Sequence, residues 1–105
     1  MILNKTIINS NYMQNWKTNK LKQLAKALIT IKDEKKMLDF LRDICTLEEL
    51  EEISSRWEVV LLLDKGLAYR EITKKTGVST TTVTRIAHWL KYGEGGYKAV
   101  LDDTK

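Results

Sequence analysis

Hydroxyl-bearing and basic side chains are concentrated in one short stretch toward the C-terminal end of the sequence. Four consecutive hydroxyl residues, at positions 79–82, follow two lysines and precede an arginine and a histidine. Hydroxyls and free backbone N–H groups at the start of a helix suit phosphate oxygens, and an arginine can donate two hydrogen bonds to one guanine. Threonine is a mediocre helix former, so contacts explain this run better than helix stability does. The residues predicted to contact DNA are Lys74, Lys75, Ser79, Thr80, Thr81, Thr82, Thr84, Arg85 and His88.

The elements that must position these side chains are two short helices joined by a tight turn, at about residues 69–92. Gly77 can adopt the positive φ that such a turn needs, and Ser79 can cap the second helix. At about 100° per residue, the second helix has a buried stripe and an opposite polar face. The pattern predicts a helix-turn-helix, and the alternative is an ordinary helical hairpin with a hydroxyl-rich cap. The buried stripe consists of Val83, Ile86, Ala87 and Leu90, and the polar face of Thr81, Thr84, Arg85 and His88.

Charge is distributed unevenly along the chain. Residues 65–92 carry six bases and one acid, whereas residues 33–64 carry ten acids and four bases. A polyanion is therefore expected to bind the C-terminal region, with an affinity that falls steeply as salt rises.

Apolar spacing predicts helices in the rest of the chain, which indicates an all-α fold. We expect one helix over about residues 15–31 and a second that starts after Asp33. Thr46 and Glu49 form the pattern of a capping box for a third, central and deeply buried helix that ends near Gly66. Residues 1–12 show no helical period and are predicted to be a disordered arm, and Met13 is a possible alternative start. Residues 13–105 are predicted to form a single DNA-binding domain.

Composition argues against several other classes of protein. No apolar run is long enough to span a membrane, and the first residues lack the features of a signal peptide, so a cytoplasmic location is expected. Cys45 is the single cysteine, and no cluster of His and Cys predicts a metal site or a cofactor. The sequence contains neither a nucleophile paired with a base nor a phosphate-binding glycine loop, so nothing in it predicts an enzyme. The alternative function is a helix-turn-helix module that binds proteins of the transcription machinery.

The segment Thr46–Tyr97 resembles the Trp repressor superfamily, and within it the TrpR-related YerC/YecD type. It reads TLEELEEISSRWEVVLLLDKGLAYREITKKTGVSTTTVTRIAHWLKYGEGGY. The resemblance implies a six-helix subunit in an intertwined homodimer that binds double-stranded DNA, most simply as a transcriptional repressor. Two-fold symmetry would imply a palindromic operator with half-sites about one helical turn apart, as in the helix-turn-helix repressors that include the Trp repressor.

The same resemblance identifies the equivalents of a tryptophan corepressor pocket. Thr46, Arg56 and Arg85 match the family's ligand-contacting residues, but Ile86 replaces a glycine and Trp89 replaces a serine. We expect Ile86 and Trp89 to fill the pocket, with Trp89 stacked on Arg85 as a cation–π pair. The alternatives are that Trp89 packs at the subunit interface, and that Arg56 pairs with Glu52. Both accounts of Trp89 predict DNA binding without tryptophan, while a different small effector stays open.

Overall fold

A computed structural model describes residues 15–105 and shows six helices and no strand within that range. The predicted arm of residues 1–12 and the alternative start at Met13 lie outside the described residues. The described part of the chain divides after residue 44 into two compact units, so the predicted single domain stays a prediction. The all-α, six-helix prediction is confirmed. The helices are α1 (Asn19–Ile29), α2 (Glu34–Ile44), α3 (Leu47–Asp64), α4 (Tyr69–Thr76), α5 (Thr80–Tyr92) and α6 (Gly96–Thr104).

The two helices of the first unit begin at side-chain caps. Thr18 Oγ1 accepts a hydrogen bond from the Leu21 backbone N–H at 3.2 Å, so α1 starts four residues later than its apolar spacing predicts. Asp33 Oδ1 accepts from the Lys36 N–H at 2.8 Å and starts α2, as predicted. Neither helix contains a fully buried residue, although both are amphipathic.

The long helix α3 opens the second unit with the predicted capping box. Thr46 Oγ1 accepts from the Glu49 N–H at 3.1 Å, and Glu49 Oε1 accepts from the Thr46 N–H at 2.8 Å. Gly66 follows the end of the helix with a φ of +84°. The expected deep burial is found only in the C-terminal half of α3, where Val59 and Val60 are inaccessible to solvent. In the N-terminal half, Ile53 is 53% exposed.

The core of the second unit lies where α3, α4 and α5 pack against one another. One face of each of these helices contributes apolar side chains, and α6 adds one more. Half-buried side chains such as Val78 and Leu90 surround this centre. The packing fixes the position of α5, the helix that carries most of the candidate contacts. The buried residues are Val59, Val60, Ile72, Val83, Ile86 and Leu101.

Within residues 15–105, each helix is either too short or too polar to cross a lipid bilayer.

Candidate nucleic-acid interface

The turn between α4 and α5 depends on Gly77. Its φ is +76°, in the left-handed region, and its N–H donates to the Thr73 carbonyl at 2.9 Å to end α4. Residues with a β-carbon rarely adopt this conformation, so the glycine is required by the backbone and not by a lack of space. The tight turn places the start of α5 directly after α4, as the sequence predicts.

Thr76 stabilises the same turn, a role that was not predicted from the sequence. Its hydroxyl donates to the Ile72 carbonyl at 2.7 Å and accepts from the Val78 N–H at 3.1 Å. One side chain therefore satisfies backbone groups on both sides of Gly77. A threonine directly before a glycine at a helix end was the available signal.

The hydroxyl run at the start of α5 divides into capping and free groups. Ser79 Oγ accepts from the Thr82 N–H at 3.1 Å and donates to the Thr82 hydroxyl at 2.9 Å. Thr84 Oγ1 donates to the Thr80 carbonyl at 2.9 Å, in the manner of a threonine within a helix. Within the described part of the chain, the hydroxyls of Thr80 and Thr81 have no hydrogen-bond partner, so they are available to a ligand.

The outer face of α5 is exposed along its length. Thr81, Thr84, Arg85 and His88 are all exposed, while Val83 and Ile86 on the opposite face are buried. No acidic residue lies between Thr80 and Tyr92. The face therefore combines hydroxyls with a guanidinium and an imidazole, the groups that bind base edges and phosphates.

The predicted lysine contacts lie in the last turn of α4. Lys74 and Lys75 are both exposed, and neither forms an ion pair with another residue of the range 15–105. The two lysines lie three and two residues before Gly77, the glycine of the turn. Positive charge is thus present on both helices of the motif, as binding across a phosphate backbone requires.

A recess of about 320 Å³ lies between α3 and the start of α5. Arg56 and Ile86 both line it, but Arg56 is exposed and forms no ion pair with Glu52 or with any other described residue. Ile86 is only 1% exposed, because its side chain also belongs to the core. The complete lining is Glu51, Glu52, Ser55, Arg56, Val78, Ser79, Thr82 and Ile86.

The structure does not bring all the corepressor-pocket equivalents together. Arg85 and Trp89 line a second concavity, with Thr84 and His88, on the outer side of α5. Trp89 is 53% exposed, so it does not plug the recess beside Arg56. Among residues 15–105, cations lie over the rings of Trp16 and Tyr92, and none lies over Trp89, so the expected stacking of Arg85 is absent. Thr46 acts as the cap of α3.

Comparison with known proteins places these features in a family. Residues 19–105 match the family described as Trp repressor protein. The chain is 35% identical over 85 residues to YerC of Bacillus subtilis (strain 168), covering 81% of this chain and 82% of YerC.

Solved structures agree with this family match. The crystal structure of a TrpR-like protein from Eubacterium eligens ATCC 27750 superimposes with a TM-score of 0.81 and 36% identity, covering 87% of this chain and 94% of the other. A second crystal structure, of a protein from Staphylococcus aureus, gives 0.81 and 27%, covering 88% and 92%.

Proposed function

The chain belongs to the Trp repressor family, and from this premise we propose that it is a sequence-specific DNA-binding regulator of transcription, most simply a repressor in the cytoplasm. The observation that carries the proposal is the outer face of α5. It presents hydroxyls, one guanidinium and one imidazole to solvent without an acid, on a helix held against a well-packed core. In helix-turn-helix proteins the N-terminal residues of the second helix contact base edges, and the first helix crosses the backbone.

The nine predicted contacts then have different roles. Thr81, Thr84, Arg85 and His88 face the major groove, with Arg85 suited to a guanine. Lys74 and Lys75 neutralise phosphates from α4. Ser79 and Thr82 are occupied with each other's capping bonds, so they contribute to phosphate binding mainly by fixing the first turn of α5, next to the free hydroxyl of Thr80.

We further propose that the active form is a homodimer. Large apolar side chains are exposed in both units of the single chain, and neither α1 nor α2 contains a buried residue. A soluble domain rarely leaves so many apolar groups in water unless another surface covers them. Two copies related by a two-fold axis would bind a palindrome with half-sites about 34–36 Å apart. The exposed side chains include Ile29 (79%), Leu38 (60%), Ile44 (50%), Leu47 (65%) and Ile53 (53%).

DNA binding is proposed to need no tryptophan. The side chain of Ile86 packs in the core, so α5 is held against the rest of the unit without a ligand. Arg56 and Arg85 line different concavities, so they do not flank one ligand in the single chain. Titration calorimetry with tryptophan is expected to show no binding, and heat of binding that is lost in Arg56→Ala would contradict this.

Selection from a pool of random duplexes, without added ligand, tests the function. The wild-type chain should enrich a common palindrome, and Arg85→Ala should enrich a site that is degenerate at one symmetric pair of positions, since one bidentate contact is worth about 1–3 kcal/mol of base discrimination. Lys98→Ala, which removes a basic side chain from α6, is the control and should enrich the wild-type sequence. Enrichment of no sequence by the wild-type chain would contradict the proposal and favour a protein-binding module.

A further inference from the structure

The recognition face of α5 continues beyond the predicted contacts to Tyr92. This tyrosine lies 11 residues after Thr81, which is three turns plus about 20° at 100° per residue. It therefore shares a face with Thr81 and His88, and it is 67% exposed. The polar face predicted from the sequence ends at His88, and Tyr92 is not among the predicted contacts.

We propose that Tyr92 and Lys91 bind the sugar-phosphate backbone at the rim of the major groove, and that they add affinity without reading sequence. The proposal rests on the proposed function, since it assumes that α5 enters the groove with its N-terminal end first. It adds two residues to the interface and assigns them a contact different from that of Arg85.

The length of α5 determines which part of the DNA Tyr92 can reach. A rise of about 1.5 Å per residue places Tyr92 about 16 Å along the helix from Thr81. The major groove is about 12 Å wide. If Thr81 contacts base edges, Tyr92 lies outside the groove floor, where the phosphates run.

The surroundings of Tyr92 suit an anion. Its ring centroid lies 5.0 Å from that of His88, at an interplanar angle of 49°, and Lys91 Nζ lies 5.5 Å from the centre of the same ring. The nearest acid in sequence, Glu94, lies beyond the end of α5. The imidazole supports the phenol from one turn below, and the ammonium stands beside it. A phenol O–H donates readily to a phosphate oxygen, and an ammonium neutralises its charge.

Burial in the core does not account for this cluster. Tyr92 lies outside the set of side chains that form the core of the second unit or pack against it. Basic character without any acid on α5 matches a polyanion better than it matches an apolar surface of a second copy. A second copy is nevertheless the competing occupant, and the experiment distinguishes the two.

The test uses fluorescence anisotropy with the full chain, on the selected duplex and on a scrambled duplex of equal length. Tyr92→Phe keeps the ring and removes the hydroxyl, and it should weaken binding to both duplexes by the same factor, about 3–10-fold. Lys91→Gln should lower the magnitude of the slope of log affinity against log salt by about 1.8, since the dimer loses one phosphate contact from each subunit. Tyr97→Phe and Lys98→Gln remove the same groups from α6 and should change neither quantity by more than about twofold.

Three results would overturn the inference. The first is binding by Tyr92→Phe that equals wild type on both duplexes. The second is a loss of affinity for the selected duplex alone, which would indicate base reading. The third is a shift of Tyr92→Phe toward monomer in sedimentation, which would indicate a subunit contact. A wild-type chain that binds neither duplex would instead overturn the proposed function, and this inference with it.

Discussion

Thr73 and Thr76 are two threonines of α4 whose hydroxyls have opposite surroundings. The Thr73 oxygen is buried and has no hydrogen-bond partner among residues 15–105, whereas the Thr76 hydroxyl bonds both Ile72 and Val78. An unpaired buried hydroxyl loses its hydration without compensation, while a paired one contributes to stability.

Replacing each threonine with valine, which has nearly the same shape, should therefore have different effects on the free energy of unfolding. Thr73→Val should leave the free energy of unfolding unchanged or raise it by up to about 1–2 kcal/mol. Thr76→Val should lower it by about 1–2 kcal/mol, since the Val78 N–H loses its acceptor. Urea unfolding at a fixed chain concentration measures both, and equal losses in the two variants would contradict this account of the turn.

The sequence predicted which side chains of α5 are exposed and which are buried, while the predicted DNA contacts stay predictions. Exposure of Arg85 and burial of Ile86 follow from the helical period, since neighbouring residues point about 100° apart. For the same reason, Arg85 and Ile86 do not line the same recess. The family resemblance had led us to expect both residues in one pocket. The exposure of Tyr92 was not predicted, because an aromatic residue near apolar neighbours is typical of a core position.

At the scale of elements, the turn between α4 and α5 is determined by backbone conformation. A β-carbon at Gly77 would meet no atom within 4 Å, so any cost of adding one comes from its positive φ. Gly96, at the start of α6, also has open space around it, but its φ is not positive. The two glycines form a matched pair that separates backbone strain from steric clash.

Gly77→Ala should lower the free energy of unfolding by about 1–2 kcal/mol, the cost of holding an alanine in the left-handed region. Gly96→Ala should be neutral or stabilising by up to about 1 kcal/mol, because alanine has less conformational freedom to lose on folding. Thermal unfolding of both variants is the measurement. A destabilised Gly96→Ala together with a neutral Gly77→Ala would show that φ does not control this turn.

Caps allowed the sequence to predict the starts of α2, α3 and α5. Asp33, Thr46 and Ser79 each accept a backbone N–H as their types and positions indicate. The start of α1 was predicted too early, because Trp16 fits the apolar spacing, whereas Thr18 supplies the cap that begins the helix. Apolar spacing alone extends past a boundary that a hydrogen bond determines.

At the scale of the whole molecule, the exposed apolar surface of the single chain leads to the proposed homodimer. The helix α2 is amphipathic, yet it contains no buried residue, and its Leu38 is 60% exposed. Sequence pattern could predict that such a face needs a partner, but the pattern is the same whether that partner is the same chain or a second copy. This is why the sequence predicted the fold more securely than the assembly.

Sedimentation should give a mass near twice the 12.2 kDa of one chain. Leu38→Asp should raise the dimer dissociation constant at least about tenfold, since removing one buried leucine costs about 1.5–3 kcal/mol and an added charge costs more. Lys36→Asp, two residues away and on the opposite face of α2, is the control and should leave the dimer intact. A monomeric wild-type chain, or equal effects of the two variants, would contradict the proposed interface.

At the scale of the whole molecule, the central proposal is that DNA binds along α4, the turn and the outer face of α5. Backbone amide chemical-shift mapping by NMR, with the chain titrated by the selected duplex, tests it most directly because it needs no variant. We expect the largest changes over residues 74–92, and small ones over α6 and the C-terminal half of α3. Changes concentrated on α1 and α2, with residues 79–88 unaffected, would contradict the claim.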